Sequence, residues 1–205
     1  MLHNPYKVVK MFEEEVAYYA GSKYAVSVNS CTSALQLCCE YLKVKEVTIP
    51  CNTYLSVPQA ILHAGGSIKF EEKKWQGVYQ LKPYPIYDAA KRLTSNMYIP
   101  DSYMCLSFHI KKHLKIGKGG MILTDDEKAY EWFKIMRYEG RSEVNYHDDN
   151  IQMCGYNFYI TPVDAARGLM LMQNYPEHAD DLIEDPPYRD LREFELFKEN
   201  KRSQQ

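Results

Sequence analysis

The chain has 205 residues, 45% of them apolar, and its 25 Lys and Arg stand against 27 Asp and Glu for a formal charge of −2. That length and apolar share suffice for one large domain or two small ones and exclude a wholly disordered chain. The near-neutral balance, without a long basic run, gives no electrostatic ground for a nucleic-acid partner or a membrane-surface partner. No apolar stretch approaches the roughly 20 residues that span a bilayer. Met1 to Tyr19 lacks the basic, apolar and small order of a signal peptide, so a cytoplasmic address is expected. The six cysteines form no CxxC pair and have no His cluster at zinc spacing, so reduced thiols and no metal site are expected.

The spacing of Val8, Val9, Phe12, Val16 and Tyr19 predicts an opening helix, with Asn4 as cap, Pro5 in the first turn and Gly21 as stop. Tyr24 to Val28 reads as a strand, Asn29 to Ser33 as a turn, and Ala34 to Leu42 as a helix. Glu46 to Ile49 is a second strand, followed by a turn at Pro50 to Asn52 and a helix from Leu55 to His63. Ser67 to Phe70 is strand-like, Glu71 to Pro83 is polar and reads as a loop, and Tyr84 to Tyr87 is a short strand ending on Asp88. Two further strands, Met104 to Phe108 and Met121 to Thr124, flank a basic segment with Gly117, Gly119 and Gly120. Asp125 caps a helix to about Arg137, Gly140 to Asn150 reads as a mobile or partner-contacting loop, and Pro162 to Asn174 is a Pro-initiated helix. The charged tail after Glu177 is expected to end in a surface helix, Tyr188 to Asn200. Strands alternating with helices argue for an α/β sheet covered on both faces, with its ligand site at the carboxyl ends of the strands.

Three features fall at strand ends. Asn29 to Leu35 enters a helix through small hydroxyl residues, which suits either an anion site or ordinary capping. Asp88 closes an apolar strand, either to cap a turn or to present a carboxylate. Ser107 to Gly120 packs Lys111, Lys112, Lys115 and Lys118 near close-set glycines, as a solvated basic turn or as a loop offering one amine. An amine among cations gives up its proton more readily, and only the neutral amine attacks a carbonyl.

Taken in order, these features resemble the DegT/StrS-type sugar aminotransferases, pyridoxal-phosphate enzymes of the aspartate-aminotransferase fold. The match runs from about Phe12 to Leu171 through Asn29-Ser30-Cys31-Thr32-Ser33-Ala34-Leu35, Pro50 to Tyr54, Ile86 to Ala90, Ser107 to Gly120, Gly155-Tyr156-Asn157 and Ala165-Ala166. The resemblance implies a three-layer α/β/α sandwich with a mostly parallel sheet. It also implies a large cofactor-binding domain over 1–175, a residual and helical tail over 176–205, and a C-terminal small domain largely missing. It implies that Lys112 carries the Schiff base to pyridoxal 5′-phosphate and that Asp88 faces the pyridine nitrogen. Thr32, Ser33 and Ser107 would hold the phosphate, Tyr54 would stack on the ring, and Asn157 would reach the phosphate of a neighbouring subunit in a homodimer. The implied reaction passes an amino group from a donor such as glutamate to a ketosugar, nucleotide-linked in relatives.

The sequence also departs from that family. The stretch between Phe70 and Tyr84 is short where relatives have a further strand and helix. Lys91 stands where glutamine is usual, near the ring oxygen or in solvent, and Phe158-Tyr159 replaces an aromatic followed by arginine. These departures keep open a second reading, a cofactor-binding but catalytically weak partner protein.

Overall fold

A computed structural model describes residues 4, 6–184 and 186–198. In chain order the elements are α1 (Lys7–Ala20), β1 (Tyr24–Val28), α2 (Cys31–Tyr41), β2 (Glu46–Pro50), α3 (Ser56–His63), β3 (Ser67–Glu71) and β4 (Tyr79–Leu81). They continue with β5 (Ile86–Asp88), β6 (Tyr103–Ser107), β7 (Gly120–Thr124), α4 (Glu127–Arg137), α5 (Pro162–Met172) and α6 (Glu195–Lys198). Asn4 Oδ1 accepts the Tyr6 N–H at 2.9 Å ahead of α1, and Gly21 closes the helix in the left-handed region. Pro5, expected in the first turn, lies outside the described residues.

Five strands form one sheet in the order β1-β7-β6-β5-β4, and β2 pairs with β3. Thr48 of β2 exchanges two backbone hydrogen bonds with Lys82, at 2.8 and 3.1 Å, so the pair adjoins the end of β4. Alternation along the strands sends Val26, Cys105 and Ile122 to one face, under α2, α3 and α4. Ala25, Met104, Leu106, Met121 and Leu123 point to the other face, under α1 and α5. This is the expected α/β/α layering.

The sheet is mixed rather than mostly parallel. β5–β6 and β2–β3 are parallel, whereas β1–β7, β6–β7 and β4–β5 are antiparallel. The connections explain two of the three antiparallel pairs: β6 and β7 are joined by a hairpin without a crossover helix, and β4 and β5 by a short turn, and such links favour antiparallel neighbours.

Two local expectations are corrected. The segment Glu71 to Pro83 is not all loop, because β4 forms within it with Tyr79 and Leu81 buried on one side. Among the described residues of the tail, helix is confined to Glu195–Lys198, with one 3₁₀ turn at Leu191–Glu193. The last two residues of the expected helix lie outside the described residues. Here the Leu191 N–H is taken by Cys51 O at 2.9 Å, and the buried side chains of Leu191 and Phe197 fix the segment in tertiary contacts rather than in a surface helix.

Residues 181–184 and 186–191 lie as a strap over the ends of β2 and β5. Arg92 grips Asp181 with two bonds, at 2.7 and 2.6 Å, and the Leu182 N–H donates to Lys91 O at 2.9 Å. Gly77, at φ +67°, makes this seat possible, since a Cβ there would stand 2.2 Å from the clamped Asp181 carboxylate.

Candidate active site

The parallel pair β5–β6 and the incoming α2 bring three chain segments to one edge of the sheet. Asp88 ends β5 opposite Cys105 of β6, and Ser107 ends β6 two residues later. α2 begins at Cys31, three residues before the expected Ala34, because Ser30 Oγ caps the Ser33 N–H at 3.1 Å. Gly120 lets β7 run against this helix start: a Cβ on it would lie 2.5 Å from Cys31 N and from the Ser30 carbonyl carbon. Lys112 follows in the β6–β7 hairpin, its N–H held by His109 O at 2.8 Å.

Asp88 is 5% exposed. Its Oδ1 accepts the Ala90 N–H at 2.9 Å and its Oδ2 accepts the Tyr79 hydroxyl at 2.8 Å. Burial pushes its carboxyl above the ordinary carboxylate range, while those two donors and the Lys112 and Lys91 charges pull it back. The Lys112 charge also acts on Cys31, whose thiol burial and Asp88 push well up, so that this cysteine is a poor nucleophile. Lys112 and Asp88 therefore share one electrostatic environment at the carboxyl ends of the strands.

The remaining candidates divide. Thr32 Oγ1 donates to Ser56 Oγ at 2.8 Å, so hydroxyls from the starts of α2 and α3 meet. Ser33 Oγ is turned inward to Asn29 Oδ1 at 2.7 Å. Ser107 Oγ is half-buried and 3.4 Å from the His109 N–H. Tyr54 is exposed, its ring 6.0 Å from that of Tyr188. Asn157 lies on the surface with its amide on Glu139 Oε1 at 2.8 Å, and its carbonyl takes a 3.3 Å bond from Asn29 Nδ2 at the end of β1.

Lys91 does not point into solvent. Its amine lies 3.2 Å from Glu184 Oε2, 4.5 Å from the centre of the Tyr188 ring and 5.0 Å from that of Trp75. Burial works against the Glu184 charge, yet the Tyr188 hydroxyl and the Lys91 and Lys112 charges outweigh it and hold its carboxyl below the ordinary range. Asn52, Trp75, Lys91, Glu184 and Tyr188 line a cavity of about 460 Å³ between the strap and the β2 end. Another cavity, of about 310 Å³, lies between α1 and α4 and contains none of the candidate residues.

Sequence reasoning missed Tyr79, Thr53, Ser56, Glu184 and Tyr188. Two of them carried a local signal: Thr53 lies in the quoted turn Pro50 to Tyr54, without a role assigned to it, and Ser56 is a hydroxyl residue beside the Val57-Pro58 helix start. All six cysteines are free, as their settings suggested.

The model of the DegT/DnrJ/EryC1/StrS aminotransferase family matches residues 1–95 and 99–182. The chain belongs to this family. The UDP-4-amino-4,6-dideoxy-N-acetyl-beta-L-altrosamine transaminase of Campylobacter jejuni serotype O:2 is 25% identical over 236 residues, covering 92% of this chain and 62% of its own length. GDP-perosamine synthase of Caulobacter vibrioides is 22% identical, covering 82% and 57%. Among solved structures, the Helicobacter pylori aminotransferase PseC, involved in the biosynthesis of pseudoaminic acid, superposes with a TM-score of 0.69 at 19% identity, over 83% of this chain and 58% of that one. The fold is thus that of the family's solved aminotransferases. The chain spans little more than half the length of these relatives. In the Campylobacter alignment, 236 positions exceed the 205 residues of this chain, so that relative carries residues that this chain lacks.

Proposed function

We propose that this DegT-family chain transfers an amino group from an amino acid such as glutamate to a nucleotide-linked ketosugar, with pyridoxal 5′-phosphate as cofactor, as a cytoplasmic homodimer. The observation that carries this reading is the buried carboxylate of Asp88 at the end of β5, within the field of Lys112 from the adjoining hairpin. The donor set suits the cofactor. The Lys112 amine, a carboxylate shielded from water at Asp88 and the Thr32 and Ser56 hydroxyls at two helix starts are the group types it needs, and Gly120 lets the start of α2 lie close against β7.

When bound, pyridoxal phosphate supplies an aldehyde that carries the amino group and a ring that takes up the electron pair released at the substrate Cα. Lys112 Nζ is the amine that would hold the cofactor through its aldehyde and, when free, would move the proton at the substrate Cα. Asp88 would keep the proton on the ring nitrogen. Thr32, Ser107 and the start of α2, which Ser33 braces through Asn29 and Ser30, would hold the phosphate, Tyr54 would lie against the ring, and Lys91 would neutralise charge on the ring oxygen. Asn157, on the surface beside the β1 end, reaches the phosphate site of the partner subunit.

Absorbance tests the reading. Purified protein mixed with pyridoxal phosphate is expected to gain a visible band that Lys112→Ala abolishes, and glutamate is expected to bleach that band while 2-oxoglutarate appears. A band indifferent to every amino donor would leave the non-catalytic reading, and no band would remove the cofactor. For the shared site, sedimentation of the loaded protein is expected to give twice the chain mass, and an active monomer would refute it.

A further inference from the structure

We infer that Tyr79, its hydroxyl held by Thr53, is a positioning residue that fixes the Asp88 carboxylate in one orientation and in its ionised form. This deepens the reading above and rests on it for its functional meaning. The geometry itself stands apart from that reading. Tyr79 comes from β4, the three-residue strand inside the short stretch where the sequence departs from its family. It is 3% exposed, and its hydroxyl donates to Asp88 Oδ2 at 2.8 Å. A hydroxyl has one proton, so the 2.6 Å contact with Thr53 Oγ1 is donated by Thr53, itself 2% exposed. The order of donation is Thr53, Tyr79, Asp88.

Such a relay has one polarity as long as the phenol keeps its proton. Burial and the Asp88 charge push the Tyr79 phenol well up, so it remains a donor at every working pH. A carboxylate with so little water around it tends to take up a proton, and a neutral acid cannot act as counter-charge to a protonated ring nitrogen. The groups facing Asp88 are Tyr79 from β4, Cys105 from β6, Cys31 from α2, Lys91 from the following turn, Lys112 from the hairpin and Tyr188 from the strap. The two cysteines and Tyr188 are neutral. Tyr79 and the Ala90 N–H are therefore the direct hydrogen-bond donors to the carboxylate among the described residues, and of the two only Tyr79 is removable by a side-chain change.

The test follows Asp88 itself in the cofactor-free protein, by ¹³C NMR of labelled aspartate carboxyls, with the resonance assigned by its loss in Asp88→Asn. Tyr79→Phe is expected to raise the proton affinity of Asp88 at least about tenfold, the scale on which one charge-stabilising hydrogen bond acts. Thr53→Val is expected to shift it in the same direction by less, and Thr53→Ser to restore the wild-type titration. In the loaded protein, Tyr79→Phe is then expected to move the pH midpoint of the cofactor's visible band and to lower kcat more than it raises KM. Identical Asp88 titrations in the wild type, Tyr79→Phe and Thr53→Val would overturn the assignment. If Tyr79→Phe does not fold, the Thr53 pair decides alone: equal titrations in Thr53→Val and Thr53→Ser would overturn it too. A protein that never takes up pyridoxal phosphate would defeat the functional reading and leave the titration result standing.

Discussion

Glu13 and Arg137 form the most deeply buried ion pair among the described residues. Both side chains are about nineteen-twentieths buried, at 6% and 5% exposure, and Arg137 Nη1 pairs directly with Glu13 Oε1. Ser27 completes the knot, donating its N–H and Oγ to Glu13 at 2.8 and 2.6 Å and offering its carbonyl to Arg137 at 2.6 Å. Desolvating two charges is costly, and what offsets it here is that each finds both an opposite charge and neutral partners. Removing one side chain leaves the other charged and buried, so Glu13→Leu is expected to cost about 3–5 kcal/mol in urea unfolding. Glu13→Leu combined with Arg137→Met is expected to cost clearly less than that single change. A double variant as unstable as the sum of its singles would show that the two charges do not act together. The helical spacing of α1 puts Glu13 on the buried stripe, four residues after Val9 and three before Val16, but gives no sign of its partner, which lies 124 positions away.

The same contrast between local and distant causes decides which elements could be read from the sequence. α1, α4 and α5 were legible because their signals are local: apolar residues at helical spacing, Asp126 and Thr161 as side-chain caps, and a proline at the start of α5. The cap of α4 falls one residue after the expected Asp125. β1, β6 and β7 showed as apolar runs, but an apolar run does not state its neighbour's direction, so the antiparallel pairing of β7 on both sides was not visible. β4 has three residues, Tyr79-Gln80-Leu81, too few for a periodic signal, and its partners Asp88 and Ile86 fix it from outside. The strap was equally silent, since the pairs Arg92–Asp181 and Lys91–Glu184 join positions about ninety residues apart. For the site, the end of β5, the lysine hairpin and the hydroxyl turn stand out at strand ends, whereas the residues that brace them arrive through folding. Those signals left Lys111, Lys112 and Lys115 open, and it is the resemblance that selects Lys112 and gives Asp88 its role; it quotes Thr53 only as part of the turn Pro50 to Tyr54 and says nothing of Tyr79 or Glu184.

At the scale of the whole molecule, an ionised Asp88 opposes folding while preparing the site. Its folded pKa is raised above the ordinary 3.8, with burial as the main cause. Its favourable contribution is therefore complete below that ordinary value and is lost as pH rises through the raised one, so at pH 7 the charge subtracts from stability. An asparagine in its place would carry no charge and could be fully satisfied: the amide oxygen accepts the Ala90 N–H, and the amide nitrogen donates to Tyr79, whose hydroxyl then turns to Thr53. Cofactor-free Asp88→Asn is accordingly expected to melt above the wild type at pH 7, by about 2–4 °C for each kcal/mol relieved. The gap is expected to close as pH falls toward about 4, where the wild-type acid also becomes neutral. Thermal melts of both proteins at stepped pH measure this directly. A variant that melts lower at pH 7, by a margin independent of pH, would show that the carboxylate is a net stabiliser and that its environment is more polar than its burial implies. Under the proposed function, adding pyridoxal phosphate is expected to reverse the order: a ligand whose ring cation would pair with Asp88 binds the wild type more tightly, and mass action then lifts its melting temperature past that of Asp88→Asn.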